Sequence, residues 1–216
     1  MTSAIGWLVL SYFIGSIPTS FVAARVFKGI DLRQQGSRNL GATNVYRVLG
    51  WKYAIPVGLF DAAKGAVPVW LFGPRVPEIA LFPLYCGLAA VIGHVFSVFV
   101  GFKGGKGVAT ASGVVLAIAP WALLVVLVVW AALVWLTGYV SVASVVSAAL
   151  FPLAAYFLEG ARGPTLAIDI ALAAFIIWKH RVNLRRLAAG TENRFGRHGT
   201  SQMTTPDSSE PAGRSS

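Results

Sequence analysis

A short run of glycines and lysines, residues 101–107 (Gly-Phe-Lys-Gly-Gly-Lys-Gly), is the part of the sequence best suited to bind an anion. Gly104, Gly105 and Gly107 have no Cβ, so their backbone N–H groups can turn toward a ligand, and Lys106 adds a full positive charge. The run is not a Walker A loop, because Val100 and Gly107 stand where that motif needs Gly and Ser or Thr. We predict a phosphate-binding loop, with a solvated basic turn at a membrane surface as the alternative.

Two further polar segments carry residues of the same chemical kind. Residues 36–47 include Ser37, Asn44 and Arg47, and residues 178–187 place His180 and Asn183 three positions apart, on one face of a helix. A histidine beside an amide can accept a proton from a hydroxyl or stabilise a developing negative charge. The three segments together favour a site for anionic substrates. The alternative for residues 178–187 is an interfacial helix that meets anionic lipid head groups.

Several kinds of catalytic site are excluded or disfavoured. The sequence has no Gly-x-Ser-x-Gly nucleophile elbow. No histidine is followed by aspartate five positions later, as in many acyl-CoA-dependent glycerolipid acyltransferases. Three histidines without a cluster of acidic residues make a dedicated metal site improbable, and we predict none. The single cysteine, Cys86, excludes a disulfide within the chain.

The composition identifies the elements that must position these segments. With 56% hydrophobic and 12% charged residues, the 216-residue chain is too apolar for an ordinary soluble domain. We predict an all-α integral membrane protein, a bundle of about seven transmembrane helices, some short or broken, with three motif loops on the cytoplasmic face. The predicted spans cover residues 4–27, 51–72, 79–100, the two halves of 108–136 on either side of Pro120, 139–158 and 165–178.

The orientation follows from the basic residues. Nothing basic precedes Arg25, and a net charge of +10 is concentrated in the gaps between apolar runs. Breaking the chain at Pro120 gives seven crossings and leaves the basic segment after Trp178 inside, whereas six crossings place it outside. The expected location is the plasma (inner) membrane, with the N-terminus outside and the C-terminus cytoplasmic. Five crossings plus re-entrant segments are the alternative.

A few charged residues fall inside the predicted spans. Asp61 and Lys64 lie three positions apart, and a mutual ion pair is favoured over a direct substrate role. Asp169 is expected to face the bundle, and His94 to make a structural hydrogen bond. We predict one membrane domain over residues 1–198 and a disordered polar tail over 199–216.

At this level of detail the chain resembles the bacterial acyl-phosphate-dependent glycerol-3-phosphate acyltransferases, the PlsY family of integral membrane enzymes. Residues 36–44 (Gly-Ser-Arg-Asn-Leu-Gly-Ala-Thr-Asn), 93–110 and 178–192 are similar to the family's three motifs and occur in the same order. Two positions depart from the pattern: Arg38 replaces an expected glycine, and Ser97 a common proline. Arg38 is expected to alter the conformation of the first motif loop if that loop needs glycine there.

The resemblance implies transfer of a fatty acyl group from acyl phosphate to the 1-hydroxyl of glycerol 3-phosphate, which yields lysophosphatidic acid and phosphate. It assigns importance to Ser37 and Arg47, to the glycines and Lys106, and to His180 and Asn183. We predict Ser37, His180 and Asn183 as catalytic. The predicted substrate- and phosphate-binding residues are Arg47, Lys106, Gly104, Gly105, Gly107 and Asn44.

An acyl phosphate is already activated, so no cofactor or covalent enzyme nucleophile is expected, and Glu192 is expected to pair with an arginine rather than act as a base. The expected partners are the two substrates and membrane lipids, without nucleic acid or an obligate protein partner. A transporter or scramblase for an anionic metabolite or lipid is the alternative from another class, supported by Asp61, Lys64 and Asp169. Another phospholipid-synthesis transferase is the second alternative. Which of two phosphates the glycine loop binds stays open, as does the preferred acyl-chain length.

Overall fold

The computed structural model describes residues 2–195. Within that part of the chain the only regular structure is helical, which confirms the predicted all-α fold. The predicted tail, residues 199–216, lies outside the described residues. The helices are α1 (Thr2–Ser16), α2 (Thr19–Lys28), α3 (Ala42–Leu49), α4 (Trp51–Leu71), α5 (Phe82–Val95), α6 (Val108–Ile118), α7 (Pro120–Thr137), α8 (Val140–Leu158), α9 (Gly163–Lys179) and α10 (Arg181–Ala188).

Five segments are long and apolar enough to cross a membrane: Ser3–Lys28, Trp51–Arg75, Phe82–Val100, Pro120–Thr137 and Val140–Leu158. Two shorter apolar helices, α6 with 11 residues and α9 with 17, complete the bundle. Large apolar side chains face outward, and Trp135 is 85% exposed, whereas serines, Asp61 and Asp169 are buried inside. This inverted pattern is expected where lipid replaces water as the surrounding medium. The predicted multi-pass membrane bundle with short and broken helices is confirmed.

Prolines break the helices where the sequence predicts. The first membrane segment is divided at Ile17 and Pro18, between α1 and α2. Pro120 opens α7 immediately after α6 ends, because a proline at the first helical position has no N–H that needs a partner. The side chain of Glu159 accepts hydrogen bonds from the N–H groups of Trp121 (2.7 Å) and Ala122 (3.2 Å) and so caps the start of α7.

Glycines bring the helices near the site into close contact. A Cβ on Gly15 of α1 would overlap the backbone of Ala90 in α5, and a Cβ on Gly65 of α4 would overlap the carbonyl of Thr110 in α6. Small residues permit this approach between helices in a membrane, where van der Waals packing drives association. The two tight helix pairs hold α5 and α6, and therefore the loop between them, in a defined position.

Candidate functional site

The three polar segments meet around one cavity of about 620 Å³. The first segment contributes the loop before α3 and α3 itself, the second the loop before α6, and the third the start of α10. Of the nine residues predicted for the site, seven line this cavity: Ser37, Asn44, Arg47, Lys106, Gly107, His180 and Asn183. Segments separated by up to about 140 positions in sequence are thus brought together as predicted.

Asn44 lines the cavity, and its side-chain hydrogen bonds are made within the first loop. Its Oδ1 accepts the N–H of Ser37 (2.8 Å), and its Nδ2 donates to the carbonyl oxygens of Gln35 (3.0 Å) and Leu32 (3.4 Å). Gly36 must be glycine, because a Cβ there would overlap Asn44 Oδ1. Its amide therefore shapes the loop that presents Ser37, and a direct contact of Asn44 with phosphate stays a prediction.

Arg38 adopts the conformation of the glycine it replaces. Its φ of 61° lies in the left-handed region, where the backbone of residues other than Gly, Asn and Asp is strained. The arginine side chain is exposed and does not line the cavity. Arg38 therefore has a backbone conformation that glycine adopts readily, at a position where the family pattern has glycine.

Gly104 and Gly105 support the second loop from behind. The N–H of Gly104 donates to the carbonyl of Val95 (3.1 Å) and that of Gly105 to the carbonyl of His94 (3.2 Å). A Cβ on either residue would overlap His94. Their N–H groups are committed inside the protein, so the prediction that they turn toward an anion is wrong. Glycine is needed at both positions because the loop packs directly on the end of α5.

The following two residues do face the cavity. Gly107 has φ +85° and is the residue before α6, so the first N–H groups of that helix point toward the cavity end formed by Lys106. Burial, together with the charges of Arg186, Arg47 and Lys179, lowers the pKa of Lys106 to about 8, although Glu192 opposes the shift. Lys106 and the start of α6 form a positive end of the cavity.

Arg47 is half-buried on α3 and also lines the cavity. Burial lowers the pKa of Arg47, an effect that the charge of Glu192 opposes, yet a guanidinium remains charged at neutral pH. Its Nε is buried and has no hydrogen-bond partner among the described residues. A buried donor without a partner is costly unless a ligand accepts from it.

His180 has a defined tautomer. Its Nδ1 lies 2.8 Å from the carbonyl oxygen of Ile176, which can only accept, so Nδ1 carries the proton and Nε2 a lone pair. Burial, and then the charge of Lys106, lowers the pKa of His180 to about 4. The imidazole is therefore neutral at physiological pH, and Nε2 is a hydrogen-bond acceptor.

Glu192 links two members of the third segment. It accepts hydrogen bonds from Asn183 Nδ2 (2.7 Å) and Arg186 Nε (2.9 Å), which confirms its predicted pairing with an arginine. Burial raises the pKa of Glu192, but hydrogen bonds from Asn183 and the charge of Arg186 prevail and the net pKa is lowered. Arg186 was missed as a site residue, although its place in the basic third segment was a usable signal.

Beyond its polar end the cavity continues between α6, α7 and α8 as an apolar extension. Leu123, Val126, Trp130, Ala148 and Phe151 are among its lining residues. Nothing in the sequence distinguished them from lipid-facing residues, and this part of the site was not predicted. Its margin reaches exposed side chains, since Leu59, Leu116 and Leu127 line the cavity and are 66%, 45% and 45% exposed. The cavity therefore joins a cationic end to an apolar end that borders the lipid-facing surface.

Three predictions about ionisable residues within the spans can be compared with the structure. Lys64 Nζ lies 2.8 Å from Asp61 Oδ1, and both side chains are 2% exposed, which confirms the predicted ion pair. His94 Nδ1 lies 3.7 Å from Asp61 Oδ1, which is too long for the predicted hydrogen bond, and His94 also lines the cavity. Asp169 is 2% exposed and its Oδ1 has no hydrogen-bond partner among the described residues, so it faces the bundle as predicted.

Comparison with known proteins gives a consistent result. The model of the glycerol-3-phosphate acyltransferase family matches residues 5–190. The chain is 42% identical to the glycerol-3-phosphate acyltransferase of Chlorobium luteolum, over 90% of this chain and 97% of that protein. It is 45% identical to the enzyme of the same name from Chlorobaculum parvum, over 91% and 99% of the two chains.

Solved structures show the same fold. The crystal structure of PlsY, an integral membrane glycerol 3-phosphate acyltransferase, in its glycerol 3-phosphate form has a TM-score of 0.82 and 42% identity, and the match covers 90% of this chain and 96% of that one. The lysophosphatidic acid form of PlsY has a TM-score of 0.80 and 41% identity, with the same coverage.

Proposed function

Because the chain belongs to the glycerol-3-phosphate acyltransferase family, we propose that it transfers a fatty acyl group from acyl phosphate to the 1-hydroxyl of glycerol 3-phosphate. The products are lysophosphatidic acid and inorganic phosphate. The observation that carries the proposal is the continuous cavity, cationic at one end and apolar at the other. Acyl phosphate and the product each have an anionic part and an acyl chain that fit these two ends, whereas glycerol 3-phosphate fits the cationic end.

The cationic end suits two phosphate groups. Arg47, Lys106 and Arg186 all line it, whereas Glu192 is committed to Asn183 and Arg186. The N–H groups at the start of α6 add a partial positive charge beside Lys106. We assign the phosphate of glycerol 3-phosphate to Arg47 and Lys106, because the unpartnered Nε of Arg47 needs an acceptor.

The apolar extension is the place for the acyl chain. It lies between α7 and α8 and borders the lipid-facing surface, so a donor with a long chain enters from the bilayer without passing through water. Burial of each methylene contributes about 0.8 kcal/mol, and the chain therefore supplies a large part of donor affinity. Its phosphate then lies at the polar end, with the reacting carbonyl between the two regions.

In the proposed reaction the glycerol 1-hydroxyl oxygen attacks the acyl carbonyl carbon. The new ester C–O bond forms, the bond from that carbon to the phosphate oxygen breaks, and the departing phosphate anion takes up the proton that the hydroxyl loses. His180 Nε2 and Asn183 Oδ1 are the acceptors available here, since Nδ1 and Nδ2 are already used inside the protein, and one of them takes the single hydrogen bond that the hydroxyl donates and so orients it. With a pKa of about 4, His180 is a positioning acceptor rather than a strong base.

Direct transfer is simpler than a covalent intermediate. Ser37 is the hydroxyl of the first loop at the cavity, and within residues 2–195 it has no hydrogen bond to a histidine or lysine that would activate it. The donor is already activated, so acylation of Ser37 offers no gain. We assign Ser37 a hydrogen bond to substrate.

The proposal includes an orientation in the plasma (inner) membrane. Lys106, His180 and Arg47 lie at the cytoplasmic face, the N-terminus is outside, and the basic residues around α10 are inside. Cysteine labelling from either side, in protein lacking Cys86, tests this assignment at Ser3 and Arg162, both expected outside. Labelling of Arg162→Cys only from the cytoplasmic side would contradict it.

The decisive experiment supplies purified protein with labelled glycerol 3-phosphate and one donor at a time: acyl phosphate, acyl-CoA or acylated acyl carrier protein. Lysophosphatidic acid is expected from acyl phosphate alone. Product from either thioester donor would overturn the donor assignment, and flux of substrate across vesicles without product would indicate transport. An acyl ester on Ser37 that chases into product, found by mass spectrometry, would overturn direct transfer.

A further inference from the structure

A cluster of polar side chains, buried except for one half-buried threonine, lies behind the second loop, and Asp61 and His94 of this cluster also line the cavity. None of its members has been given a role in the reaction described above. The cluster consists of Thr19, Asp61, Lys64 and His94, which come from α2, α4 and α5. Asp61, Lys64 and His94 are 1%, 3% and 8% exposed. Charged groups at this depth are costly, and an ion pair alone is often no more stable than apolar residues of similar size. Mutual neutralisation therefore does not account for the whole cluster.

Asp61 is the centre of the cluster. Its Oδ1 accepts a hydrogen bond from the Thr19 hydroxyl and lies 2.8 Å from Lys64 Nζ and 3.7 Å from His94 Nδ1. Lys64 in turn donates to the carbonyl of Ile17 (2.7 Å), at the break between α1 and α2. The carboxylate thus connects the broken first segment to the end of α5.

His94 connects the cluster to the second loop. Its carbonyl accepts the N–H of Gly105 (3.2 Å), and its Nε2 occupies the place where a Cβ on Gly105 would lie. The same Cβ would also overlap the carbonyl of Leu40 in the first loop. Gly105 is therefore packed against both His94 and the first loop, and Lys106 is the next residue in the chain.

We propose that Asp61, through Thr19, Lys64 and His94, forms a buried brace that sets the position of Lys106 and so determines affinity for the phosphate of glycerol 3-phosphate. These are positioning residues, since they act through the loop. The inference rests on the proposed function only for the identity of the phosphate substrate. A displacement of about 1 Å in such a group is enough to lower kcat/KM by about a hundredfold.

The first test distinguishes a brace that positions Lys106 from an ion pair in which Asp61 and Lys64 only compensate each other's charge. The double variant Asp61→Leu/Lys64→Met replaces the pair by apolar residues, which often preserves stability. The brace predicts folded protein whose KM for glycerol 3-phosphate rises about tenfold with a smaller change in kcat. Wild-type KM in the folded double variant would overturn the proposal.

Milder variants keep the test meaningful if the double variant fails to fold. Thr19→Val has nearly the same shape but lacks the hydroxyl, whereas Thr19→Ser retains it. Thr19→Val is expected to raise KM for glycerol 3-phosphate several-fold, and Thr19→Ser to restore it. Equal KM values for the two variants would contradict the brace. Ser11→Ala is the control, because it also removes a hydroxyl, one that donates to the carbonyl of Trp7 within α1, and Ser11 is more deeply buried than Thr19.

A readout without substrate distinguishes failure of the brace from failure of the proposed function. Each protein is treated briefly with an amine-reactive acetylating reagent, and labelling of Lys106 is measured by peptide mass spectrometry relative to exposed Lys103. Labelling of Lys106 is expected to rise several-fold in Thr19→Val and in the double variant but not in Ser11→Ala. Unchanged labelling in both would overturn the proposal, whichever acyl donor the enzyme uses.

Discussion

Asn183 Nδ2 lies 2.7 Å from Glu192 Oε1, and this hydrogen bond decides which end of the Asn183 amide remains available to a substrate. The nitrogen is used inside the protein, so the oxygen is the free acceptor. Arg186 Nε binds the other oxygen of the same carboxylate at 2.9 Å, and Glu192 is held in turn. The substrate-binding orientation of Asn183 therefore depends on a residue nine positions away that need not contact substrate.

This relationship predicts the result of exchanging the two groups. Asn183→Asp places a carboxylate against Glu192, and kcat is expected to fall about a hundredfold because like charges replace a hydrogen bond. The double variant Asn183→Asp/Glu192→Gln restores a donor and acceptor in reverse order. Its kcat, measured from initial rates of product formation, is expected to be about tenfold higher than that of Asn183→Asp. No recovery in folded double variant would show that the two residues act independently.

The pH dependence of the enzyme is expected to report Lys106. Its pKa is lowered to about 8, so the cation that holds phosphate is present below pH 8 and is lost as the pH rises through that value. The kcat/KM for glycerol 3-phosphate should therefore fall tenfold per pH unit above about 8. His180, with a pKa of about 4, should produce no change between pH 6 and 8.

Lys106→Arg supplies the control for this assignment. An arginine keeps its charge throughout the range, so the decline above pH 8 should disappear. The level of activity should still be lower than in wild type, because a planar guanidinium fork does not fill the place of a compact ammonium. An unchanged alkaline decline in Lys106→Arg would assign it to another group.

The conformation of Arg38 makes a prediction about stability. Arg38→Gly removes the strain of a left-handed side-chain-bearing residue, which is expected to raise the free energy of unfolding by about 1 kcal/mol. Activity should be unchanged, since Arg38 is exposed and does not line the cavity. Thermal unfolding in detergent measures the first effect and initial rates the second. A lower unfolding temperature for Arg38→Gly would show that the arginine side chain makes a compensating interaction.

Gly105→Ala is expected to lower kcat/KM at least about tenfold, because its Cβ would overlap His94 and the carbonyl of Leu40 and must displace the loop. Gly6→Ala in α1 is the matched control, since a Cβ there meets nothing within 4 Å. Kinetics of both variants should be measured on protein that elutes as folded by size exclusion. Normal kinetics for Gly105→Ala would show that the loop is merely a turn.

The apolar extension should determine which acyl chains are used. Ala148 lines it beside Phe151, and Ala148→Phe fills part of its depth. The ratio of kcat/KM for a long-chain donor to that for a short-chain donor is expected to fall about tenfold, because each excluded methylene forfeits about 0.8 kcal/mol of burial. An unchanged ratio would place the acyl chain elsewhere.

Features that depend on neighbouring residues in the sequence were predictable, whereas most of those that depend on contacts between distant segments were not. The break at Pro120 was predictable because proline acts on its own helix, and the convergence of the three polar segments followed from charge at the membrane surface. The roles of Asn44 and Gly105 were not predictable. Asn44 bonds to the backbone of the first loop and Gly105 packs against His94, and only folding brings these groups together. The apolar extension was hidden because Leu123 and Val126 are of the same residue types as lipid-facing side chains.

The margin of the cavity at Leu59, Leu116 and Leu127 has a consequence for kinetics. If the donor reaches the site sideways from the bilayer, the reaction rate depends on its surface concentration in the lipid, in molecules per unit of area, and not on its concentration in the bulk solution. Adding inert lipid or detergent at a fixed amount of donor should therefore dilute it and slow the reaction, whereas the response to water-soluble glycerol 3-phosphate should stay the same. The rate thus depends on the surface concentration of the donor, which enters the apolar end of the cavity, and on the bulk concentration of glycerol 3-phosphate, which enters the cationic end.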